Sequence, residues 1–291
     1  MRELRNNLGQ TFGTKKAKKA IASVTENAIG PARNLTNGQK PAKLKASDAA
    51  ILDSMKEATS GMATRDQLEE EADASKPIPK PNRSATDIRE VYTIASLIGT
   101  DIFKHIPVLD WQKDAKAKKN IKLNSRYVAN RLQGLAENTE KLKILQYLYL
   151  LLELYRVSKP VRSSRLLPKR DELRTVLGNM PEVLVESIKR QFSDAGQMSK
   201  FKIDLLITHI CALACLVGNY EVDMYDLKED LRIDLRDMAK YFTEIGAKIF
   251  ALPEAMRKDL QLDKAAAAQR KVARLRLPLE FPKLPYGKKP R

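Results

Sequence analysis

Residues 201–252 read FKIDLLITHICALACLVGNYEVDMYDLKEDLRIDLRDMAKYFTEIGAKIFAL, and residues 271–277 read KVARLRL. The first seventeen positions, 201–217, are apolar on nearly every face, as a helix surrounded by protein must be. A short amphipathic helix follows over 223–230, with Met224, Leu227 and Leu231 as its packing residues. Ile233 fills a turn, and a third helix over 234–245 turns Met238, Tyr241, Phe242 and Ile245 toward the core before stopping at Gly246. Residues 248–252 then read as a strand, and 271–277 alternate small or apolar with basic side chains at period two. Three helices followed by a two-stranded ribbon are the winged-helix plan.

Upstream, the same order occurs with different residues. A long helix is predicted over 139–157, where Leu142, Leu145, Gln146, Leu148, Tyr149, Leu152 and Tyr155 form a broad face. A basic loop, 159–170, leads to helices over 171–177 and 181–192, with Pro181 suited to a first helical turn. This first copy, 137–193, shows no evident wing strands. Before it, Ser84 and Thr86 are candidate caps for a helix carrying Ile88, Val91, Tyr92, Ala95 and Ile98, and a Lys-rich loop, 113–122, precedes a helix over 125–135. The expected fold class is mainly α: tandem winged-helix domains with short β-wings, behind a long flexible linker. The expected divisions are a linker over 1–83, a helical extension plus first winged helix over 84–198, and a second winged helix with basic wing and tail over 199–291.

The linker is poor in large apolar residues, and its first half is strongly basic: only Glu3 and Glu26 oppose ten lysines and arginines before Asp48. Short helices are predicted over 14–27 and 47–59. An acidic patch of Glu69, Glu70, Glu71 and Asp73 runs into KPIPKP, residues 76–81, which reads as an extended hinge after which folded structure begins.

A formal net charge of +17 on 291 residues selects polyanionic partners. The longest apolar run, 144–155, is too short to span a bilayer and is broken by Gln146 and Glu153, so no membrane partner is expected. Cys211 and Cys215 share a turn of one apolar helix with His209 and lack a second ligand cluster; His105 precedes a proline loop. Buried thiols and a core imidazole are the better reading, with no metal and no cofactor. No nucleophile elbow, phosphate loop or dinucleotide turn occurs, so no catalytic residue is assigned. The acids between 221 and 237 follow amphipathic helix spacing, which argues against a metal-dependent nuclease.

Candidate DNA contacts are the clusters Lys159, Arg162, Arg165, Lys169 and Arg170; Arg270, Lys271, Arg274 and Arg276; and Lys283, Lys288 and Lys289 of the tail, with Lys15, Lys16, Lys18 and Lys19 in the linker. The third helix of the second copy carries Asp234, Asp237 and Glu244 against Arg236 and Lys240, and the helix before it adds Asp223, Asp226, Glu229 and Asp230. Such a face repels phosphate, so this helix is not expected to read a major groove. Trp111 and Tyr127 stand apart from the basic clusters, so base stacking is not indicated.

Residues 8–21, LGQTFGTKKAKKAI, resemble the linker signature of the RNA polymerase I specific subunit of the forty-nine-kilodalton type. KILQYLYLLLELY at 143–155, YDLKEDLRID at 225–234, YFTEIGAKI at 241–249 and LPLEFPK at 277–283 are similar to that family as well. The resemblance implies a non-catalytic polymerase subunit in the nucleus and nucleolus, with a tandem winged helix akin to that of TFIIE near upstream DNA and a linker crossing the cleft. It implies roles in ribosomal RNA initiation and elongation, with polymerase I core subunits, double-stranded DNA and the polymerase's initiation factor as partners. Family members begin with a TFIIF-like β-barrel that dimerises with a smaller specific subunit. Nothing in residues 1–13 supplies that barrel, so the expectation is a fragment or shortened chain, and binding of the smaller subunit loses its basis. The competing expectation is a protein-interaction scaffold in which the acidic third helix is an interface and DNA is not bound.

Overall fold

The computed structural model describes residues 14–16, 18, 19, 75–117, 119, 123–178 and 180–282, and the chain divides into two compact units, Met1–Thr64 and Arg65–Arg291. In the first unit Lys15, Lys16, Lys18 and Lys19 are helical and exposed, and the Lys18 amide donates to the Thr14 carbonyl at 2.9 Å. The remainder of the helix predicted over 14–27, the one over 47–59 and the acidic patch lie outside the described residues.

The second unit is mainly helical. Its order is α1 (Ile94–Leu97), α2 (Thr100–Lys104), α3 (Leu109–Lys116), α4 (Arg126–Leu132) and α5 (Thr139–Val157), then the hairpin β1 (Lys159–Val161) and β2 (Ser164–Leu166). It continues with α6 (Arg170–Val176), α7 (Glu182–Phe192), β3 (Gln197–Met198), α8 (Lys200–Val217), β4 (Glu221–Asp223), α9 (Met224–Leu231) and α10 (Leu235–Glu244). Strand β5 (Ala247–Ala251), α11 (Glu254–Asp259), α12 (Lys264–Ala268) and β6 (Lys271–Leu275) complete it. Two small antiparallel sheets result, ordered β1-β2-β3 and β4-β6-β5.

Helices α5 and α8 pack on one another at the centre. Asn138 and Ser199 cap them by accepting from the Lys141 and Lys202 amides, and their apolar side chains are buried on almost every face. Leu142, Leu145, Leu148 and Leu151 from α5 meet the same core as Leu206, Ile210 and Leu213 from α8, and each is fully enclosed. Burial of that kind stabilises by about 2 kcal/mol per leucine. Cys211, Cys215 and His209 lie inside α8 and are buried in the core.

The end of α10 is set by Gly246, whose φ of 85° is open to glycine and where a Cβ would press against the Leu279 and Phe281 side chains at 3.3 Å. Met238, Phe242 and Ile245 are buried, Ile233 and Tyr241 pack at the edge of the core, and the Tyr241 hydroxyl donates to Asp204 at 2.7 Å.

Several expectations are corrected. The helix foreseen from Ser84 is broken: neither Ser84 nor Thr86 caps it. Asp87 instead caps a 3-10 turn at Ile88–Glu90, Thr93 and Ser96 form a capping box that starts α1, and Gly99 at φ 90° separates α1 from α2. Residues 159–170 are not a plain loop, since they contain the β1-β2 hairpin, and β2 also pairs with β3 after α7. Pro181 stands at the N-cap of α7 rather than inside it. Strand β4 went unforeseen, β6 ends at Leu275, and the connection between β5 and β6 holds α11 and α12.

The proline segment is also not a hinge preceding the fold. Ile78 and Pro79 are buried, the Pro77 carbonyl accepts from the Thr208 hydroxyl of α8 at 2.8 Å, and Lys76 donates to the Pro282 carbonyl at 3.3 Å. Arg83 stacks over Phe281 at 4.9 Å, and the Tyr92 hydroxyl donates to the Ile245 carbonyl at 3.0 Å. The entry and exit of the unit are thereby tied to one another and to the end of α10.

The helical extension is fastened to the second half by two carboxylates of α9, Asp230 foremost. Asp230 accepts from the Ser125 hydroxyl at 2.6 Å, the Arg126 amide at 2.8 Å and the Tyr127 amide at 3.0 Å, so it closes the N-terminus of α4 from the far end of α9. Beside it Asp226 pairs with Arg131 at 3.2 Å and accepts from Asn130 at 3.2 Å. Burial holds the Asp230 carboxyl above the usual range and outweighs the lowering by its three donors. Removing the side chain leaves those donors without their acceptor. Asp230→Ala should therefore lower the unfolding free energy of the full chain by about 3 kcal/mol, against about 1 kcal/mol for Ser125→Ala. Urea unfolding followed by circular dichroism measures both, and equal small losses for the two variants would contradict this role.

Candidate nucleic-acid interface

A cation can contact a phosphate cheaply only when it is exposed and not already committed to a carboxylate, since otherwise an existing pair has to be broken. The predicted contacts divide on that criterion. At the first cluster, Lys159 and Arg162 lie in or at the tip of the β1-β2 hairpin and Lys169 stands at the N-cap position of α6 without a side-chain capping bond. All three are exposed and form no ion pair among the described residues. Arg162 has φ 53°, a left-handed value at the first position of a two-residue turn, where glycine is the usual choice.

Arg165 and Arg170 are occupied. The Arg165 guanidinium donates to the Ser158 hydroxyl at 2.7 Å, the Ser158 carbonyl at 2.8 Å and the Tyr155 carbonyl at 2.9 Å, and it stacks over the Tyr155 ring at 4.1 Å. It closes the C-terminus of α5, where carbonyls lack helical partners, and binds the hairpin to that helix. Arg170 pairs with Glu182, which also meets Arg174 at 3.7 Å. That pairing raises the guanidinium pKa and lowers the carboxyl pKa.

The ribbon of the second sheet divides likewise. Arg270 pairs with Asp223 at 2.9 Å and stacks over Tyr225 at 4.2 Å. Arg274 pairs with Glu221 at 2.8 Å and lies 5.3 Å over Phe250. The register explains both: Glu221 stands opposite Arg274 on neighbouring strands, and Asp223 lies at the end where Arg270 enters β6. Lys271 and Arg276 stay exposed and form no ion pair among the described residues; Arg276 leans over Phe250 at 6.0 Å. Lys283, Lys288 and Lys289 lie outside the described residues.

Several of the acids that looked repulsive from sequence are paired within the protein, whereas Asp234 and Glu244 at the ends of α10 form no ion pair among the described residues. Asp223, Asp226 and Asp230 hold Arg270, Arg131 and the start of α4, and Asp237 pairs with Lys240 at 2.7 Å. Lys240 lies three residues from Asp237 on the same helix, but the other partners lie far along the chain, with only the Glu221–Arg274 match leaving a trace in the alternation of 271–277. The structure does not bring the two exposed groups together. Strand β3 leads into the N-terminus of α8 and β4 follows its C-terminus, and a helix of that length measures about 27 Å. Trp111 stacks against Tyr149 at 5.6 Å and Tyr127 is fully buried, so neither ring is offered to bases.

The potential reactive groups in α8 are closed off. Burial raises both thiols, Cys215 to about 12. His209 donates through Nδ1 to the Leu205 carbonyl at 2.8 Å and accepts at Nε2 from the Gln191 side-chain amide at 3.0 Å, and burial lowers its pKa to about 4. No helix among the described residues is long and apolar enough to cross a membrane.

Taken together, these features define a mainly helical, basic protein in which five of the candidate contacts, Lys159, Arg162, Lys169, Lys271 and Arg276, are exposed and form no ion pair among the described residues, as do cations elsewhere such as Lys113, Arg190 and Arg236. The family profile described as "A49-like RNA polymerase I associated factor" matches residues 1–282, so the chain belongs to that family, one of accessory, non-catalytic polymerase subunits. The DNA-directed RNA polymerase I subunit RPA49 of Saccharomyces cerevisiae is 31% identical over 300 residues, covering 97% of this chain and 68% of that protein. The subunit rpa49 of Schizosaccharomyces pombe is 28% identical over 300 residues, covering 98% and 67%.

Two outcomes are expected. Arg274→Ala should cost about 2 kcal/mol in urea unfolding, because it unpairs Glu221 and uncovers Phe250, whereas Lys271→Ala should stay within about 0.5 kcal/mol; similar costs would contradict the division between held and exposed cations. The neutral His209 ring gives an acid dependence: the unfolded chain takes up a proton near pH 6.5 that the folded chain refuses until about pH 4. Its contribution is complete above that upper value and falls away toward the lower, by about 3 kcal/mol. Between pH 7 and 4.5 the wild type should lose about 2 kcal/mol more stability than His209→Leu, and equal losses in the two would assign the dependence to other groups.

Proposed function

We propose that this chain is a non-catalytic subunit of RNA polymerase I that attaches to the polymerase and holds double-stranded DNA by its backbone near the cleft. The observation carrying this reading is the sorting of cations: Lys159, Arg162, Lys169, Lys271 and Arg276 are exposed and uncommitted, while neighbouring arginines are held in pairs. Backbone contact of this kind gives affinity with little sequence preference. Family membership supports the partner, since both relatives described above are subunits of RNA polymerase I by name.

The second half, with helix α8, strand β4, helices α9 and α10 and the ribbon β5-β6, follows winged-helix order, and the sheet order β4-β6-β5 suits it. We read the first half, from α5 to β3, as a related domain whose ribbon precedes its last two helices, and keep the division at 84–198 and 199–291. Action in the nucleolus, support of initiation and elongation, and contact with the polymerase's initiation factor belong to the same proposal. The basic linker with Lys15, Lys16, Lys18 and Lys19 would add contacts to a negative surface.

Two measurements test this. The tagged chain, purified from nuclear extract at moderate salt after nuclease treatment, should retain polymerase I core subunits; loss of every partner on nuclease treatment would reduce it to a generic DNA binder. In duplex titrations across salt, the Lys159→Gln, Arg162→Gly, Lys169→Gln triple variant should lower the slope of log affinity against log salt by about 3. Glycine at 162 suits the turn, so the hairpin is kept. A slope equal to wild type removes the hairpin from the interface and favours the protein-interaction scaffold.

A further inference from the structure

We infer that Ser163 is a phosphorylation site for a basophilic protein kinase, and that its phosphate switches off polyanion binding by the hairpin; the second half of this rests on the DNA-binding function proposed above. Ser163 is the second residue of the two-residue turn joining β1 to β2, after the left-handed Arg162, and is exposed with no side-chain hydrogen bond among the described residues. Its neighbour differs. The Ser164 hydroxyl donates to the Val161 carbonyl at 3.0 Å and accepts from the Gln197 side chain at 2.9 Å, so it is committed to the sheet.

The flanking residues supply the recognition chemistry. Lys159 and Arg162 precede Ser163 and Arg165 follows it, a cationic setting that suits a kinase with an acidic substrate groove. A kinase needs its substrate extended, and this hairpin can open locally at small cost. Strand β1 is a three-residue edge strand exposed throughout, and Pro160 within it has no amide to bond. In the reaction the Ser163 Oγ attacks the γ-phosphorus of ATP, the bond from that phosphorus to the bridging β-γ oxygen breaks, ADP leaves, and the hydroxyl proton passes to the kinase's base.

The consequence is electrostatic. The added phosphate carries about −1.5 to −2 charges at pH 7, placed next to Arg162 in the turn and in the same basic segment as Lys159 and Lys169. It neutralises roughly two of that segment's three uncommitted cations. That should lower the salt slope of duplex binding by about 2 and weaken affinity at least tenfold at moderate salt.

The test incubates the full chain with ATP and the catalytic subunit of a cyclic-nucleotide-dependent kinase, then maps the phosphate by peptide mass spectrometry and titrates a duplex. Phosphate at residue 163 is expected, absent in Ser163→Ala and retained in Ser164→Ala; phosphate on Ser164 or none on the hairpin overturns the site. A phosphorylated chain that binds duplex as tightly as the unmodified one overturns the switch while leaving the site in place. An unmodified chain with no salt-dependent duplex binding instead overturns the function on which the switch depends, whatever the phosphate found at residue 163.

Discussion

The Asp230 carboxylate joins stretches of chain 103 to 105 residues apart, receiving the Ser125 hydroxyl and the first amides of α4. A charged acceptor in a partly buried place is retained because the donors opposite it have no other partner. Its position at the end of α9 fixes how the helical extension lies against the second half, and Asp226 with Arg131 adds a second fastening one turn away. The proline strap on α8 and the Tyr92 bond to Ile245 then complete the enclosure of one continuous core from Val91 to Leu275.

This arrangement determines what the surface can offer. With Asp223, Asp226 and Asp230 turned inward to partners, the acids of α9 no longer dominate the field around the ribbon. The same pairings remove Arg270 and Arg274 from the pool of exposed cations, and Arg165 is spent on the C-terminus of α5. Of the candidate contacts, Lys159, Arg162 and Lys169 stay exposed and unpaired toward one end of α8, and Lys271 and Arg276 toward the other. A cluster that composition shows as uniformly basic is thus divided by its pairings into held and exposed groups.

How far the sequence revealed this depends on the range of the forces involved. Helices α5, α8, α9 and α10 were legible because their apolar spacing is local, and Gly246 marks the end of α10 by its own conformational need. The β1-β2 hairpin was hidden because its strands are three residues long and its turn uses Arg162 where glycine or asparagine would announce it. The proline strap read as a hinge because its partners, Thr208 and Pro282, are distant. At the interface, the clusters were found by composition, but only geometry separates Arg274, held by Glu221, from Lys271, exposed beside it.

In the function proposed above, uncommitted cations on the ribbons, rather than total charge, carry contact with DNA. Lysine-reactivity footprinting of the full chain with a water-soluble acylating reagent, with and without duplex, tests it directly. Protection of Lys159, Lys169 and Lys271 is predicted, with Lys240, paired to Asp237, unchanged. Uniform protection of all exposed lysines, or protection of Lys240 with none at the ribbons, would contradict it.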